Sequence, residues 1–417
     1  MCNIIIGLSD RSLSKLANFD ASSENASSAP RMPFAAITSA LCTLLISPPP
    51  LTSRWTATDG FNDRQFITFD ADRYRGMVND HARTSAFTAA IQKAVLGREG
   101  DLVVLDIGTG PEALLALIAA RAGAKKVFAI EAQPEVAEMA RRAVAESGVG
   151  VGVVQVIEGY STDIELPEKA DLLVAEIVGS VASEEGIYAT MFDAQRRHLR
   201  NPFMPASYIP LAVETLAAPM SYALHHPALG PKGFDWDAVR IDGPPPRFAC
   251  STHVVKALSE PLRFEVIRFD VPLPPPGSRL ETALTFEISA DRIHAASQDY
   301  AAILVEAGMP GEAADEVASD VAHSVTGVGF WPRLIMDEDE TLVVDSRAAD
   351  GSAQRSHWQT VLPLLCSQPQ RVAAGDILVL HAVIDLGEAI DEPVRYALEC
   401  EIRRDAPTRD SAPMTSR

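Results

Sequence analysis

The sequence has few cysteines, few aromatic residues and a shortage of positive charge. Its five cysteines are scattered, odd in number and without CxxC spacing, which argues against a disulfide framework and favours a reducing compartment. The histidines have no metal-like spacing with these cysteines, so no metal site is predicted. Lysine and arginine number 36 against 56 acids, and the net charge of -20 argues against nucleic acid as a partner and suits cationic substrates.

The chain also lacks an apolar run long enough for a membrane. The one apolar run near the N terminus, Phe34 to Ile46, is too short to span a bilayer, which takes roughly 20 residues. These absences predict a cytoplasmic protein, also nuclear if the organism is eukaryotic, with no membrane partner.

The most informative stretch is an apolar segment that ends in an acid and two closely spaced glycines. Residues 103–110 read VVLDIGTG, which predicts a buried parallel strand, a tight turn and then a helix. The glycines, Gly108 and Gly110, let the backbone approach a ligand closely. The next apolar strand ends at Glu131, an acid placed to accept hydrogen bonds from two ribose hydroxyls. The pattern predicts a nucleotide-binding turn.

Two cofactor classes compete for this turn. Gly108, Gly110 and Ala113 satisfy the loose dinucleotide spacing. Asp106, two residues before the first glycine, instead gives the D-x-G-x-G form that resembles motif I of class I S-adenosylmethionine-dependent methyltransferases. Glu112 stands where a third glycine is expected, so a degenerate turn that binds nothing stays open.

The remaining pattern predicts an α/β domain followed by a β domain. Apolar segments at Val153 to Ile157 and Leu172 to Ala175 continue the alternation of strands and helices, which predicts a Rossmann-like, doubly wound parallel sheet. After about Asn201, short alternating segments between Pro- and Gly-rich turns predict a β-barrel or sandwich. We expect four parts: a disordered or mis-assigned tail (1–60), a cofactor-binding domain (61–203), a barrel-like substrate domain (204–405) and a flexible tail (406–417).

Two acids follow the fourth strand of the predicted parallel sheet. Glu176 comes directly after this strand and Glu185 nine positions later, which on an unbroken helix would put them on opposite faces. Gly179 and Gly186 permit a hairpin-like loop that turns both carboxylates into one pocket. Two carboxylates in a closed site repel each other, and a planar guanidinium, with donors for both, resolves the repulsion.

These motifs, in this order, resemble the protein arginine methyltransferase family. The turn at residues 106–110, Glu131, and the pair Glu176 and Glu185 correspond to its cofactor and acid motifs. The further matches are Ser161-Thr162-Asp163, Ser356-His357-Trp358-Gln359, and the upstream Tyr74, Met77-Val78-Asn79-Asp80 and Arg83. The spacing of the β segments and Phe330-Trp331 look most like the monomethylating type III branch. The resemblance covers roughly residues 66–402.

The resemblance implies a role for each matching residue. It implies that Glu176 and Glu185 hold the substrate arginine, that Asp80 and His357 form a dyad linking the two domains, and that Tyr74 and Trp358 contribute to the substrate site. The implied cofactor is S-adenosylmethionine. It would contact Arg83 at its carboxylate, Asp106, Gly108 and Gly110 along the turn, Glu131 at the ribose, Thr162 near the adenine and Met77 beside the sulfonium.

The sequence therefore predicts an N-methyltransferase that acts on arginine residues of basic proteins. Because the chain has one cofactor turn, a homodimer is predicted. Two alternatives stay open: methylation of a small amine or guanidine metabolite, and a catalytically decayed binding or scaffold protein. In addition, Glu184 and Glu185 could begin a solvated helix, and His357 could be a packed, hydrogen-bonded histidine.

Overall fold

The computed structural model describes residues 50–57, 71–150, 152–229, 235, 241–387 and 392–404. Most of the predicted N-terminal tail, at 1–49 and 58–60, and the predicted C-terminal tail at 406–417 lie outside these residues. Within them, a parallel sheet with helices is followed by antiparallel sheets, which confirms the predicted fold class.

Strands and helices alternate in the first half of the described chain. In chain order the elements are β1 (Leu51–Thr56), α1 (Ala71–Val78), α2 (His81–Val95), β2 (Val103–Ile107), α3 (Leu114–Ala122), β3 (Lys126–Glu131), α4 (Pro134–Glu146), β4 (Val154–Glu158), β5 (Leu172–Ala175), a 3-10 helix (Ala182–Glu185), α5 (Ile187–Arg197), a 3-10 helix (Pro205–Ser207) and β6 (Tyr208–Ile209). Strands β2 to β6 form a parallel sheet in the order β4-β3-β2-β5-β6. Its strand order reverses between β2 and β5, and such a switch point places a ligand crevice at the carboxyl ends of these two strands.

Local sequence explains the elements of this sheet. Every residue of β2 and of β5 is buried, as expected for parallel strands covered on both faces. Helix α4 begins at Pro134 with Glu135 in its first turn, where the missing proline N–H costs nothing and the negative charge faces the positive helix end. Helix α3 ends at Gly123, whose φ of 109° suits a residue without a Cβ.

Antiparallel strands make up most of the second half. In chain order the elements are β7 (Ala212–Tyr222), a 3-10 helix (Ala223–His225), β8 (Arg247–Ala249), β9 (Val255–Ala257), β10 (Leu262–Arg268), β11 (Arg279–Glu287), α6 (Ala290–Glu306), α7 (Gly311–Ala322), β12 (Ser324–Val325), β13 (Gly327–Ile335), β14 (Val343–Asp345), β15 (Gln359–Val361), β16 (Gln370–Arg371), β17 (Ile377–Asp385) and β18 (Arg395–Arg403). One sheet has the order β10-β7-β13-β15-β8, with β9 on β7 and β14 on β13. A second has the order β1-β18-β17-β11, and β12 pairs with β16.

The predicted barrel is only a half-barrel. A closed barrel needs hydrogen bonds between neighbouring strands all the way around the ring. In the described part of the chain, β10 and β11 are edge strands of separate sheets and are not paired with each other, so the ring stays open. The sequence pattern of short alternating strands is the same for an open and a closed arrangement, and therefore did not distinguish them.

The structure differs from the predicted domain division at two places. Leu51–Thr56, assigned to a tail, is strand β1 and pairs with β18 near the other end of the chain. Trp55 anchors it, since this side chain is 4% exposed and stacks on Tyr396 with 4.6 Å between ring centroids. The parallel sheet also continues past residue 203, because β6 at Tyr208–Ile209 pairs with β5. Neither strand pairing could be predicted from the local sequence, because each joins segments that are distant along the chain.

Two consecutive helices, α6 and α7, interrupt the antiparallel strands, and the sequence analysis did not predict α6. The signal for α6 was an apolar stripe at helical spacing, Ile293, Ala296, Tyr300 and Leu304, all of which are buried.

None of the helices in the described part of the chain combines the length and apolar character that crossing a bilayer requires. Cys250, Cys366 and Cys400 are buried free thiols. Among the described residues, no three His, Cys, Asp or Glu side chains gather closely enough to hold a metal ion.

Candidate active site

The turn after β2 requires glycine because it packs directly on the loop after β5. Gly108 and Gly110 have φ angles of 74° and 68°, in the left-handed region that glycine adopts without strain. A Cβ on Gly108 would lie 2.8 Å from Ile177 Cγ2. The two loops that border the switch point of the parallel sheet therefore form one contiguous surface.

Substitution of Gly108 should combine backbone strain with a steric clash. We expect Gly108→Ala to lower the free energy of unfolding by about 2–3 kcal/mol, through a left-handed φ and an overpacked contact with Ile177. Gly148→Ala is the matched control, because Gly148 has a φ of 72° and no atom within 4 Å of a new Cβ. It should lose only about 1 kcal/mol. Urea denaturation measures both, and equal losses would show that the contact with Ile177 is unimportant.

The missing third glycine is compensated locally. Glu112 is exposed, and the next residue, Ala113, adopts a φ of 45°. Tyr74 of α1 lies across the turn, since a Cβ on Gly110 would be 3.2 Å from Tyr74 Cε2. Burial, and then the charge of Glu112, raise the pKa of the Tyr74 hydroxyl. Helix α1, which also carries the half-buried Met77, therefore covers a turn that keeps its left-handed conformation without the third glycine.

The Asp106 side chain stabilises this turn through hydrogen bonds. Its Oδ2 accepts hydrogen bonds from Thr109 Oγ1 at 2.5 Å and from the backbone N–H of Ala116 at 3.1 Å. The side chain is 1% exposed and its Oδ1 is buried without a hydrogen-bond partner. Burial raises the pKa of Asp106 to about 7 although the bonds from Thr109 and Ala116 oppose the shift. Asp106 thus holds the turn to the start of α3 and keeps one unpaired oxygen.

Glu131 stands at the end of β3 and reaches the same turn. Its Oε2 accepts a hydrogen bond from Gly110 N at 3.1 Å, and its Oε1 accepts one from Gln133 N at 3.0 Å. Thr162 lies beyond the next strand, β4, where its carbonyl oxygen accepts a hydrogen bond from Arg197 Nη2 at 2.7 Å. The carboxyl edge of the sheet therefore presents Glu131 beside the glycine turn, and its role in ribose binding stays a prediction.

Glu176 holds a guanidinium in the structure. Its Oε2 accepts hydrogen bonds from Arg83 Nε at 3.1 Å and from Arg83 Nη2 at 2.6 Å, and the two side chains are 6% and 3% exposed. The remaining nitrogen, Arg83 Nη1, is buried without a hydrogen-bond partner. The carboxylate after β5 is thus a buried site that binds a planar cation along one edge.

Asp80 connects the start of α2 to the predicted His-Trp loop. Its Oδ1 accepts a hydrogen bond from Arg83 N at 3.1 Å, which caps the helix. Its Oδ2 accepts from His357 Nδ1 at 2.9 Å and from His357 N at 3.1 Å. Burial by itself would raise the pKa of Asp80, but the hydrogen bonds from His357 and Arg83 outweigh it and lower the pKa. The predicted link between the two halves of the chain is present as a contact.

This link should stabilise the fold in a pH-dependent way. We expect Asp80→Asn to lower the free energy of unfolding at pH 7 by about 2 kcal/mol, because a charge-assisted hydrogen bond is lost. A carboxylate with a lowered pKa contributes stability above its ordinary pKa of about 4 and loses it as the pH falls through the lowered value. The difference between wild type and Asp80→Asn should therefore shrink below about pH 4. Denaturation from pH 7 to pH 2 measures it, and a constant difference would contradict this account.

The His-Trp loop also binds the loop after Glu176. Trp358 Nε1 donates to Val178 O at 2.8 Å, and Gln359 N donates to Ser180 Oγ at 3.1 Å. The rings of His357 and Trp358 are 3.8 Å apart between centroids. Because Asp80 holds His357 on the other side, the second half of the chain closes over the carboxyl edge of the parallel sheet.

The loop between Glu176 and Glu185 folds back on itself at Gly179. A Cβ on Gly179 would lie 2.7 Å from Glu184 Cβ and 2.7 Å from Val181 O, which only glycine permits. A 3-10 helix at Ala182–Glu185 follows, here called the acid turn, and Gly186 with a φ of 73° ends it. A loop, not a continuous helix, therefore separates the two acids. The convergence of both carboxylates on one guanidinium stays a prediction.

Contacts connect most of the predicted site residues at this edge of the sheet. Gly110 contacts Tyr74 and Glu131, Arg83 joins Glu176 to Asp80, and Asp80 joins His357. Met77, Thr162 and Glu185 lie on the elements that border this group, namely α1, the turn after β4 and the acid turn.

Sequence reasoning missed two residues beside the acid turn. Arg247 of β8 and Glu265 of β10 bind the acid turn from strands that follow it by 63 and 82 positions. The only signal for Glu265 was an acid between two apolar residues, Phe264 and Val266, of β10, where a register shift between Arg263 and Glu265 turns it inward. Arg247 had no signal.

Comparisons with known proteins agree with this architecture. A family model for a methyltransferase domain matches residues 104–201. Probable histone-arginine methyltransferase 1.4 of Arabidopsis thaliana is 39% identical over 125 residues, which are 30% of this chain and 23% of that protein. Protein arginine N-methyltransferase PRMT10 of Arabidopsis thaliana is 36% identical over 126 residues, 30% of this chain and 32% of that protein. The chain thus matches about a quarter to a third of the length of these relatives.

Solved structures extend the similarity of fold to the second half. The crystal structure of Arabidopsis thaliana protein arginine methyltransferase 10 has a TM-score of 0.58 and 19% identity, covering 81% of this chain and 95% of that chain. The Trypanosoma brucei PRMT1 enzyme-prozyme complex with AdoHcy gives 0.54 and 17%, covering 82% and 100%. None of these comparisons confirms the type III branch, which stays a prediction. They do confirm the predicted resemblance: residues 104–201 match a methyltransferase domain, and the chain is similar to protein arginine methyltransferases in sequence over 30% of its length and in fold over about 80%.

Proposed function

We propose that this protein transfers a methyl group from S-adenosylmethionine to the guanidinium of arginine residues in proteins. The observation that carries the proposal is the Glu176 carboxylate, which already binds one guanidinium, that of Arg83, at the switch point of the parallel sheet. A site that satisfies the two nitrogens of Arg83 can satisfy those of a substrate arginine by the same geometry. The names of the relatives, which are arginine methyltransferases, support this choice of substrate.

The residues at the glycine turn fit the proposed cofactor. Two buried polar atoms without protein partners, Arg83 Nη1 and Asp106 Oδ1, border the turn, so one donor and one acceptor there are available to a ligand. We propose that Arg83 binds the cofactor carboxylate, that Glu131 binds the ribose hydroxyls, and that Asp106 orients the turn. Gly108 and Gly110 would allow close approach, with Thr162 near the adenine and Met77 beside the sulfonium. The cofactor, when bound, supplies an electrophilic methyl group.

Alignment is the main task of the protein in this reaction. A guanidinium nitrogen is a poor nucleophile because its lone pair is delocalised over the group. We propose that Glu176 and Glu185 bind one edge of the substrate guanidinium, localise its positive charge there and leave the opposite nitrogen to attack. The attacking nitrogen loses one proton during or after methyl transfer. His357 or one of the carboxylates accepts this proton, directly or through water.

The proposal is tested by methyl transfer from labelled S-adenosylmethionine. The acceptors are histone-like peptides, Gly/Arg-rich peptides, the same peptides with Lys in place of Arg, and free arginine. We expect label on arginine-containing peptides, none on the Lys peptides, and methylarginine after hydrolysis. Label on free arginine or another small guanidine alone would favour a metabolite enzyme. Failure of the cofactor to bind in calorimetry would leave the decayed, non-catalytic alternative.

Two further properties are proposals as well. The Trypanosoma brucei PRMT1 structure is a heterotetrameric complex, which supports assembly in this fold, and we propose a homodimer for this chain. Light scattering that gives a monomer mass at micromolar concentration would exclude it.

We also propose a cytoplasmic location, supported by the free thiols of Cys250, Cys366 and Cys400.

A further inference from the structure

The acid turn is bonded to the antiparallel sheets at successive residues. Ala182 N donates to Thr215 Oγ1 of β7 at 2.9 Å, and Ser183 Oγ donates to Glu265 Oε2 of β10 at 3.1 Å. Ser183 Oγ also lies 2.8 Å from the Tyr396 hydroxyl of β18. Thr215 Oγ1 donates to the same oxygen of Glu265 at 3.1 Å. All five side chains are buried, so strands from both large antiparallel sheets fix the turn that ends in Glu185.

The next residue, Glu184, is bound by an arginine. Arg247 Nη2 donates to Glu184 Oε1 at 2.5 Å and Arg247 Nη1 donates to Glu184 Oε2 at 3.1 Å, a bidentate pair. Glu184 Oε2 also accepts from Val181 N at 3.1 Å. The Glu184 side chain is 5% exposed and both of its carboxylate oxygens are bound by protein groups, so it cannot bind a substrate. Of the two adjacent glutamates, Glu185 is therefore the one to which the proposed function gives that role.

The pairing also matters electrostatically, because the loop carries three acids. Glu176, Glu184 and Glu185 stand within ten residues, and Arg83 and Arg247 each neutralise one of them. Burial alone would lower the pKa of Arg247, but the neighbouring Glu184 and, more weakly, Glu185 raise it. Removing Arg247 would therefore leave a buried carboxylate unpaired beside Glu185 and release the turn from β8.

Glu265 is a second buried acid at the acid turn. It is 5% exposed, and burial raises its pKa to about 7 against the hydrogen bonds from Ser183 and Thr215. Its Oε1 is buried without a hydrogen-bond partner. A packed apolar residue usually serves stability as well as or better than a buried carboxyl group. The gain from Glu265 is therefore the fixed position of Ser183 and Thr215, which hold the acid turn.

We propose that Arg247 and Glu265 are positioning residues that hold the acid turn against the antiparallel sheets and so set the place of Glu185 relative to Glu176. This inference rests on the proposed function. Neither residue touches the substrate in this account; both act through the backbone of Ala182–Glu185.

The first test replaces Arg247 and compares it with a matched arginine. Arg333 binds the buried Glu214 at 3.3 Å, with side chains 22% and 2% exposed, against 32% and 5% for Arg247 and Glu184, although Glu214 also keeps a second arginine, Arg263, at 2.8 Å. We expect Arg247→Gln to lower kcat for an arginine peptide about tenfold to a hundredfold through misplacement of Glu185, with the cofactor Kd changed less than about twofold. Arg333→Gln should keep kcat within about twofold, since it does not touch the acid turn. Equal effects of the two variants would overturn the proposal.

The second test uses conservative and compensating variants. Glu184→Gln combined with Arg247→Gln removes both charges, so kcat should recover at least about fivefold over Arg247→Gln alone. Glu265→Gln keeps an oxygen that accepts hydrogen bonds and should retain most of kcat, whereas Glu265→Leu should lower it about tenfold. No recovery in the double variant, or equal activity of the two Glu265 variants, would contradict positioning.

A readout without activity separates this inference from the proposed function. Hydrogen exchange of the amides at 182–186 should be at least about tenfold faster in Arg247→Gln than in wild type, and unchanged in Arg333→Gln. If wild type methylates no arginine peptide, the proposed function fails while the exchange result still decides whether Arg247 fixes the turn. If wild type methylates arginine peptides and Arg247→Gln has the same amide exchange rates and the same kcat as wild type, the positioning role is wrong while the proposed function stands.

Discussion

Glu185→Gln is expected to lower kcat/KM for arginine peptides by about a hundredfold to a thousandfold while leaving cofactor affinity unchanged. The carboxylate is the second acid of the proposed pair, and an amide of the same shape cannot localise the positive charge of the substrate. Glu176→Gln should lose at least as much activity. It should in addition weaken cofactor binding, because Glu176 orients Arg83 through contacts of 3.1 and 2.6 Å.

The control for this prediction lies at the other end of the same strand. Glu168 precedes β5, is exposed, and pairs with Arg200 at 3.0 Å. Glu168→Gln removes one acid from the same region of the chain and should keep kcat/KM within about twofold, as surface substitutions usually do. Initial rates with labelled cofactor measure all three variants. Undiminished methylation by Glu176→Gln and Glu185→Gln would exclude the double-acid mechanism.

Glu131→Gln should have the second-largest effect, on cofactor binding. In the structure both carboxylate oxygens accept backbone N–H groups, one from Gly110 and one from Gln133. An amide NH2 group in place of one oxygen would face an N–H donor and could not accept a ribose hydroxyl. Two weakened hydrogen bonds to a charged acceptor, at about 1.5 kcal/mol or more each, predict a Kd for S-adenosylmethionine raised about a hundredfold.

The neighbouring strand provides a matched substitution. Glu158 ends β4 directly opposite Glu131 in the parallel register, and it pairs with Arg141 at 3.2 Å. Glu158→Gln therefore changes an acid at the corresponding register position of the next strand, away from the glycine turn. It should alter the Kd for S-adenosylmethionine less than about twofold. Isothermal calorimetry with S-adenosylmethionine and S-adenosylhomocysteine measures both variants. Equal affinity of Glu131→Gln and wild type would remove Glu131 from the cofactor site.

The bond between Arg83 and Glu176 has a consequence for substrate binding. A substrate guanidinium must share Glu176 with Arg83 or displace it. The cofactor carboxylate, which we propose binds Arg83 at the nitrogen that Glu176 leaves unpaired, would offset the positive charge of Arg83 and so let a substrate guanidinium share Glu176. Binding of cofactor before peptide is therefore the expected order, and product inhibition patterns measure it.

Several features could be predicted because their signal is local. A five-residue buried strand that contains Asp106 and is followed by Gly108 and Gly110 fixes a strand, a left-handed turn and a helix, since each requirement is met within a few residues. The acid at the end of the next strand, Glu131, reaches the turn because parallel strands end at one edge of a sheet. The glycine loop between Glu176 and Glu185 followed from the same kind of reasoning.

By itself, the sequence determined the alternation of strands and helices, the nucleotide-type turn, the acids at the ends of the parallel strands and the resemblance to a methyltransferase family. Only the tertiary structure decided that β1 pairs with β18, that the antiparallel region stops at a half-barrel, and that Glu184 pairs with Arg247. The physical reason is the distance in sequence between the residues that determine each feature. Backbone conformation responds to neighbouring residues and leaves a periodic trace, whereas an ion pair between positions 63 residues apart exists only after the chain has brought two strands together.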